Sequence, residues 1–193
     1  ALLALGRTPW PEELRKILGP SLNAWKVSPK LATVLLRGLA QKKYGYTAAL
    51  VLKCMRVNQV EVNVIHYNSA MSACENVGDW QLAMSILWQM HGVQVMPDTI
   101  SYTTAISSCA DGGLWELALS ILHAMPGLTV VPNRVSYGAT IGVCEKSGQW
   151  QMALDLLGMM PVVKLAPNEV CMNSAMSACA KAGQWEVALS CLS

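Results

Sequence analysis

Four tryptophans, Trp80, Trp115, Trp150 and Trp185, stand 35 residues apart, and Gly78, Gly113, Gly148 and Gly183 precede them at the same interval. Pro97, Pro132 and Pro167 keep that period, as do Tyr67, Tyr102 and Tyr137. Four markers in one register restrict the chain to a stack of like units. A period of roughly 20 to 50 residues belongs to solenoids and arrays, whose units cannot bury their apolar faces alone.

Each unit divides into two amphipathic halves. At about 100° per residue, Tyr67, Ala70, Met71 and Cys74 fall in one apolar stripe, and Ala83, Ile86, Leu87 and Met90 repeat the spacing in the second half. Both halves predict helices of about three turns, so the fold is all-α. Gly78 is placed to end the first helix, because a left-handed C′ position is least costly for glycine, and Asp79 to cap the second. The pair Pro97-Asp98 closes the second helix, since proline lacks the amide donor that continuation requires.

These boundaries give repeats at 64–98, 99–133 and 134–168, with a truncated repeat at 169–193. Moving back one period puts 29–63 on the same template as a divergent repeat. Ala48, Leu52 and Met55 fall under Ala83, Leu87 and Met90, while Ala32 replaces Tyr67 and Gly45 replaces Trp80. Residues 1–28 form a flanking segment with one short helix, Pro11 to Leu18, proline near its start and Gly19 at its end. That segment is suited to capping the first exposed face of the array. The chain starts at Ala1 and stops at Ser193 inside an unfinished helical pattern, which reads as a fragment in which a targeting peptide would not be visible.

With 53% apolar residues the 193-residue chain has ample core material, and no apolar run reaches the roughly 18 residues of a membrane span. Charge is uneven. Residues 1–62 carry ten basic and three acidic side chains, and residues 63–193 carry four and nine. Net charge therefore gives no general argument for nucleic acid, which calls for a basic surface. Seven cysteines do not imply disulfides, because Cys74, Cys109, Cys144 and Cys179 are one period apart. Equivalent positions in stacked helices lie about 10 Å apart, too far for a bridge. Reduced, buried thiols and a reducing compartment follow.

Signs of enzymatic chemistry are few. His66, His91 and His123 have no cysteine or carboxylate partner at metal-ligand spacing, and no phosphate loop, nucleophile elbow or paired-carboxylate motif occurs. No cofactor, metal or small-molecule substrate is expected. The tryptophans read as packing, one indole per unit, and Met84, Met90, Met125, Met152 and Met159 as core filler.

Function is then sought where units differ while the scaffold stays the same. The residue after the aromatic position is Asn68, Thr103, Gly138 and Asn173, with Thr33 in the divergent unit. The residue after the loop proline is Asp98, Asn133 and Asn168, with Asn63 at the same phase. Gly138 aside, these short side chains donate or accept hydrogen bonds in defined directions, which suits reading the edge of a base.

The segments VIHYNSAMSACENVGDWQLAMSILWQM, TISYTTAISSCADGGLWELALSILHAM and RVSYGATIGVCEKSGQWQMALDLLGMM resemble pentatricopeptide repeats. The resemblance covers about residues 64–193 and extends to 29. It implies a right-handed superhelical solenoid binding single-stranded RNA, one base per repeat, in mitochondria or plastids. Carried over residue by residue, it implies that Asn68 with Asp98 favours uracil, and that Thr103 with Asn133, and Thr33 with Asn63, favour adenine. Gly138 with Asn168 discriminates poorly, and Asn173 points to a pyrimidine. The bases are expected to lie between Ile65, Ile100, Val135 and Val170. The implied 5′ to 3′ tract is A-U-A-N-pyrimidine, with the basic segment from Arg7 to Arg56 adding phosphate attraction.

Two other readings stand beside this one. A tetratricopeptide-like protein-binding scaffold also stacks helix pairs, but its period is 34 and its groove carries longer charged side chains. Alternatively, a catalytic domain outside the chain uses the repeats for delivery to RNA, in company with other RNA-processing proteins.

Overall fold

Residues 11–184 and 186–187 are described in a computed structural model, and the packing role expected of Trp185 falls outside them. Ten α-helices make up the described chain, with no strand among the described residues. They are α1 (Pro11–Val27), α2 (Lys30–Gln41), α3 (Gly45–Val57), α4 (Val64–Glu75), α5 (Trp80–Gly92), α6 (Thr99–Ser108), α7 (Trp115–Ala124), α8 (Arg134–Lys146), α9 (Trp150–Val162) and α10 (Glu169–Lys181). A 3₁₀ turn at Pro126–Leu128 follows α7. None of the described helices is long and apolar enough to cross a membrane. The chain forms two compact units that divide after Thr104, within α6.

In the first unit α4 packs against α2, α3 and α5, and α1 lies on α2 and α3. The stripes expected from periodicity form the core. Tyr67, Ala70, Met71 and Cys74 of α4 are fully buried, as are Ala83 and Met90 of α5 and Leu36, Leu39, Ala48 and Met55 of the preceding pair. Each large side chain among them contributes about 1.5–3 kcal/mol by leaving water. Gly45 has a packing reason to replace tryptophan. A Cβ there would stand 3.2 Å from both Cα and Sγ of Cys74, so α3 begins against the end of α4.

In the second unit α8 packs on α7, α9 and α10, and α9 on α10. Its core repeats the same phases with Tyr137, Ile141, Cys144, Ala153, Leu156, Met160, Ala175 and Cys179. Burial pushes the thiol of Cys74 up to about 12, with the nearby Asp79 charge adding to the effect, and those of Cys109 and Cys144 up to about 11.

The glycine turns form as expected. Gly78, Gly113, Gly148 and Gly183 all have φ between 66° and 73°. The following amide in each case reaches back five residues, as Asp79 N does to Cys74 O at 3.1 Å. Asp79 Oδ1 accepts from Leu82 N at 3.0 Å, capping α5.

Four expectations are corrected. The first helix does not stop at Leu18 but runs through Gly19 and Pro20 to Val27. Leu14, Leu18, Leu22 and Trp25 form an unbroken buried stripe, while Gly19 and Pro20 sit on the exposed side, where water can satisfy the carbonyl that proline leaves unpaired. The second helices end before their loop prolines, at left-handed Gln59, Gln94, Thr129 and Lys164, again one period apart. The next amide then bonds back to Met55, Met90, Met125 and Met160 at 2.8–3.0 Å. The described indoles at Trp80, Trp115 and Trp150 open their helices only half-buried. Of the methionines taken for core, Met90 and Met125 are buried, whereas Met84 and Met152 are half-buried and Met159 is exposed.

Candidate functional site

Asp98 stands immediately before α6, where the first amides lack helical partners. Its Oδ1 accepts from Ser101 N at 2.9 Å. Asn68, one residue beyond the buried Tyr67, comes off the flank of the α4 stripe and donates from Nδ2 to the same Oδ1 at 3.0 Å. The structure therefore joins directly the two residues that the family resemblance assigns to one base. Partial burial acts to raise the Asp98 carboxyl. The hydrogen bonds from the Ser101 backbone and from Asn68 outweigh it and hold the group below its ordinary value.

A groove of about 500 Å³ opens beside this pair. Ile65 and Ile100 line it together with Asn68, Asp98 and the guanidinium-bearing Arg37. Ile65 and Ile100 are 49% and 61% exposed, and Val135 and Val170 at the same phase are 65% and 64% exposed. These β-branched side chains thus lie outside the core. Each is the second residue of its helix and presents apolar surface to solvent.

The other candidates are placed as follows. Asn63 Oδ1 accepts from Ile65 N and His66 N at 3.1 and 3.3 Å, and Asn133 Oδ1 from Val135 N and Ser136 N at 2.9 and 3.0 Å. Asn168 Oδ1 accepts from Cys171 N at 3.0 Å. All three are helix N-caps, a position that favours Asn and Asp on its own account. The restricted alphabet at this phase thus has a structural cause that sequence reasoning missed. The available signal was a short polar residue directly ahead of an apolar-periodic segment, the pattern used correctly at Asp79. Thr33 and Thr103 are half-buried on α2 and α6, and Asn173 is exposed on α10. Gly138 sits on α8, where an added Cβ would meet Cys171 Sγ at 3.3 Å.

Charge on the helix face that carries groove-lining Asn76 is largely paired in the second unit. Lys146 and Lys181 fall two and three periods after Asn76. Lys146 Nζ lies 2.8 Å from Asp111 Oδ1, and Lys181 Nζ lies 3.0 Å from Glu145 Oε1. Partial burial raises the Glu145 carboxyl, but hydrogen bonds from Ser177 and Lys181 and the lysine charge bring it below its ordinary value. The described residues hold no cluster of three metal-ligating side chains.

Stacked helix pairs that repeat every 35 residues define a helical-repeat protein. The description of a pentatricopeptide repeat domain matches residues 50–112 and 92–147, and that of a PPR repeat matches 135–163 and 170–193. The chain belongs to the pentatricopeptide repeat family. No curated protein sequence matches it. Among solved structures it is similar to PPR10 in complex with an 18-nt psaJ RNA element, at 23% identity and a TM-score of 0.75 over 85% of this chain and 24% of that one. It also resembles the PPR domain of Arabidopsis thaliana protein-only RNase P 1 in complex with tRNA, at 18% identity and a TM-score of 0.68 over 84% of this chain and 86% of that one. PPR10 from maize alone gives 23% identity and a TM-score of 0.68 over 83% and 23%. At these identities the likeness is one of fold, and this chain spans about a quarter of PPR10.

Proposed function

We propose that the chain binds single-stranded RNA in a base-selective manner, one nucleotide per helix pair, without itself catalysing a reaction on it. The observation that carries this reading is the groove in which Ile65 and Ile100 flank the hydrogen-bonded Asn68 and Asp98. Two exposed apolar side chains accept the faces of a base, and the amide and carboxylate between them meet its edge. Stacking is indifferent to base identity and contributes about 1–3 kcal/mol per base, so selectivity falls to the polar pair.

Asn68 with Asp98 takes uracil, whose adjacent carbonyl and N3–H match an amide donor and a carboxylate acceptor. By the same scheme Thr33 with Asn63, and Thr103 with Asn133, take adenine. Gly138 with Asn168 leaves its base undiscriminated, and Asn173 takes a pyrimidine. The target reads A-U-A-N-pyrimidine from 5′ to 3′. The caps formed by Asn63, Asn133 and Asn168 are compatible with this role, because capping engages Oδ1 and leaves the Nδ2 group as a donor.

Family membership and the 35-residue period favour RNA over a tetratricopeptide-like peptide scaffold. Pentatricopeptide repeat proteins are in general organellar, which supports a mitochondrial or plastid location, and in general non-catalytic. Two fold relatives are RNase P proteins, and catalysis by other RNA-processing proteins brought to the same RNA fits the same binding role.

A filter-binding titration at low salt with a 10-mer containing the A-U-A tract tests the reading. Replacing the uracil should weaken binding by about tenfold, and Asn68→Ala should remove that difference. Equal affinity for a scrambled 10-mer would remove the claim of base selection.

A further inference from the structure

The third residue of α6, Ser101, is fully buried directly beneath the Asn68 and Asp98 pair, and repeat phase alone gives it no reading role. Its backbone N–H donates to Asp98 Oδ1 at 2.9 Å, and its Oγ accepts from Asp98 N at 3.2 Å. The hydroxyl has one proton and two acceptors within reach, Asn68 Oδ1 at 2.6 Å and Asp98 Oδ1 at 3.0 Å. The shorter contact takes it. Asp98 Oδ1 is already served by Ser101 N and by Asn68 Nδ2.

The amide of Asn68 is therefore held at both ends in one orientation. Its oxygen turns to Ser101 and its nitrogen to Asp98. Reversing it would set two acceptor oxygens against each other at Asp98. What remains for a ligand is the second proton of Nδ2, a donor, next to a carboxylate that only accepts.

We propose that Ser101 is a positioning residue that sharpens this site's choice of uracil over cytosine. This rests on the base-reading function proposed above. Uracil offers an acceptor at O4 and a donor at N3; cytosine inverts the pattern, with a donor at N4 and an acceptor at N3. A base held between Ile65 and Ile100 meets a donor from Asn68 and an acceptor from Asp98 in a set order, which uracil satisfies. An Asn68 amide released by Ser101 turns its oxygen to the cytosine amino group more readily, which narrows the preference, while cytosine N3, an acceptor, still faces the carboxylate of Asp98.

The same phase behaves consistently elsewhere in the chain. Cys171, third in α10, is buried with its sulfur 3.3 Å from where a Cβ on Gly138 would stand, so the third residue of that helix again lies under the reading position of the preceding pair. Where the reading position has no side chain to orient, the residue beneath it has no hydroxyl. His66, third in α4, is buried as well, accepting from Asn63 N at Nδ1 and donating from Nε2 to Pro29 O at 2.9 Å.

The test measures affinities of the 193-residue chain and its Ser101→Ala variant for two 10-mers that differ only in U or C opposite Asn68 and Asp98. The wild type should prefer U by about tenfold. Ser101→Ala should cut that ratio by about threefold, mainly through tighter binding of C relative to U, with the remaining preference left to Asp98. Because both RNAs are measured on one variant, any loss of folded fraction cancels in the ratio. The A-to-G ratio at the base assigned to Thr33 and Asn63 should be unchanged, whereas general loosening would reduce it too. A wild-type ratio of one would overturn the base-reading function itself. A wild-type preference for U that survives intact in Ser101→Ala would overturn the role of Ser101 alone.

Discussion

Lys43 holds the same left-handed backbone conformation as Gly78, one period later, with φ of 62° against 67°. Tyr44 N bonds back to Leu39 O at 3.0 Å, as Asp79 N does to Cys74 O. The turn is thus kept in the divergent repeat without the residue that suits it. A side chain in this region costs about 1–2 kcal/mol that glycine avoids in part. Lys43→Gly should raise stability by about 1 kcal/mol, an increase in Tm of about 2–4 °C, and Gly148→Ala should lower it by a similar amount. Calorimetry on both variants checks this. A lower Tm for Lys43→Gly would refute it.

Asn133 is both an N-cap and a proposed reader, and two substitutions separate the roles. Asn133→Ala should cost about 1 kcal/mol of stability and weaken RNA binding. Asn133→Asp keeps the capping oxygen, so its urea midpoint should stay near wild type while the preferred base changes. Loss of stability in both variants would mean that the amide itself holds the turn.

The ion pair between Lys146 and Asp111 sets a phosphate-attracting charge against an internal competitor. Asp111→Asn should strengthen RNA binding at low salt. It should also steepen the slope of log affinity against log salt by about 0.7, the value for one more phosphate neutralised on a single strand. Stability should change by less than about 1 kcal/mol, since exposed pairs contribute little. An unchanged salt slope would place Lys146 away from the RNA path.

Acid should act through Asp98 and Glu145, whose folded-state values lie below the ordinary 3.8 and 4.5. A carboxyl depressed in the folded state adds stability that is fully present above its unfolded value and is lost as pH falls through the folded one. Melting temperature should be flat above about pH 5 on account of these two groups and should fall below about pH 4. Asp98→Asn should flatten part of that acid limb. An acid limb identical in the variant would remove Asp98 as a contributor.

The thiols of Cys74, Cys109 and Cys144, pushed up to about 12, 11 and 11, stay protonated at pH 8. Native protein treated with iodoacetamide should remain unmodified at these three positions by mass spectrometry, and denaturation should expose all three to alkylation. Labelling of Cys109 in the native state would contradict its burial.

Much of the fold can be read along the chain, because helix periodicity and glycine turns are local. The 35-residue period, the stripe of Tyr67, Ala70, Met71 and Cys74, and the left-handed turn at Gly78 all depend on near neighbours in sequence. The exposed phase of Ile65, Ile100, Val135 and Val170 follows from the same register. The caps at Asn63, Asn133 and Asn168 were equally local but were obscured by a second use for the same residue types. Tertiary structure alone decided the rest. α1 passes Gly19 and Pro20 because a buried stripe outweighs two breakers on its exposed side. The non-glycine residues Gln59, Gln94, Thr129 and Lys164 turn left-handed because packing of the second helices fixes where they end. The contacts that orient the reading pair join Asn68 to Asp98 and Ser101, residues 30 and 33 positions away. Hydrogen bonds of that span exist only once the first helix of one repeat has packed beside the start of the next.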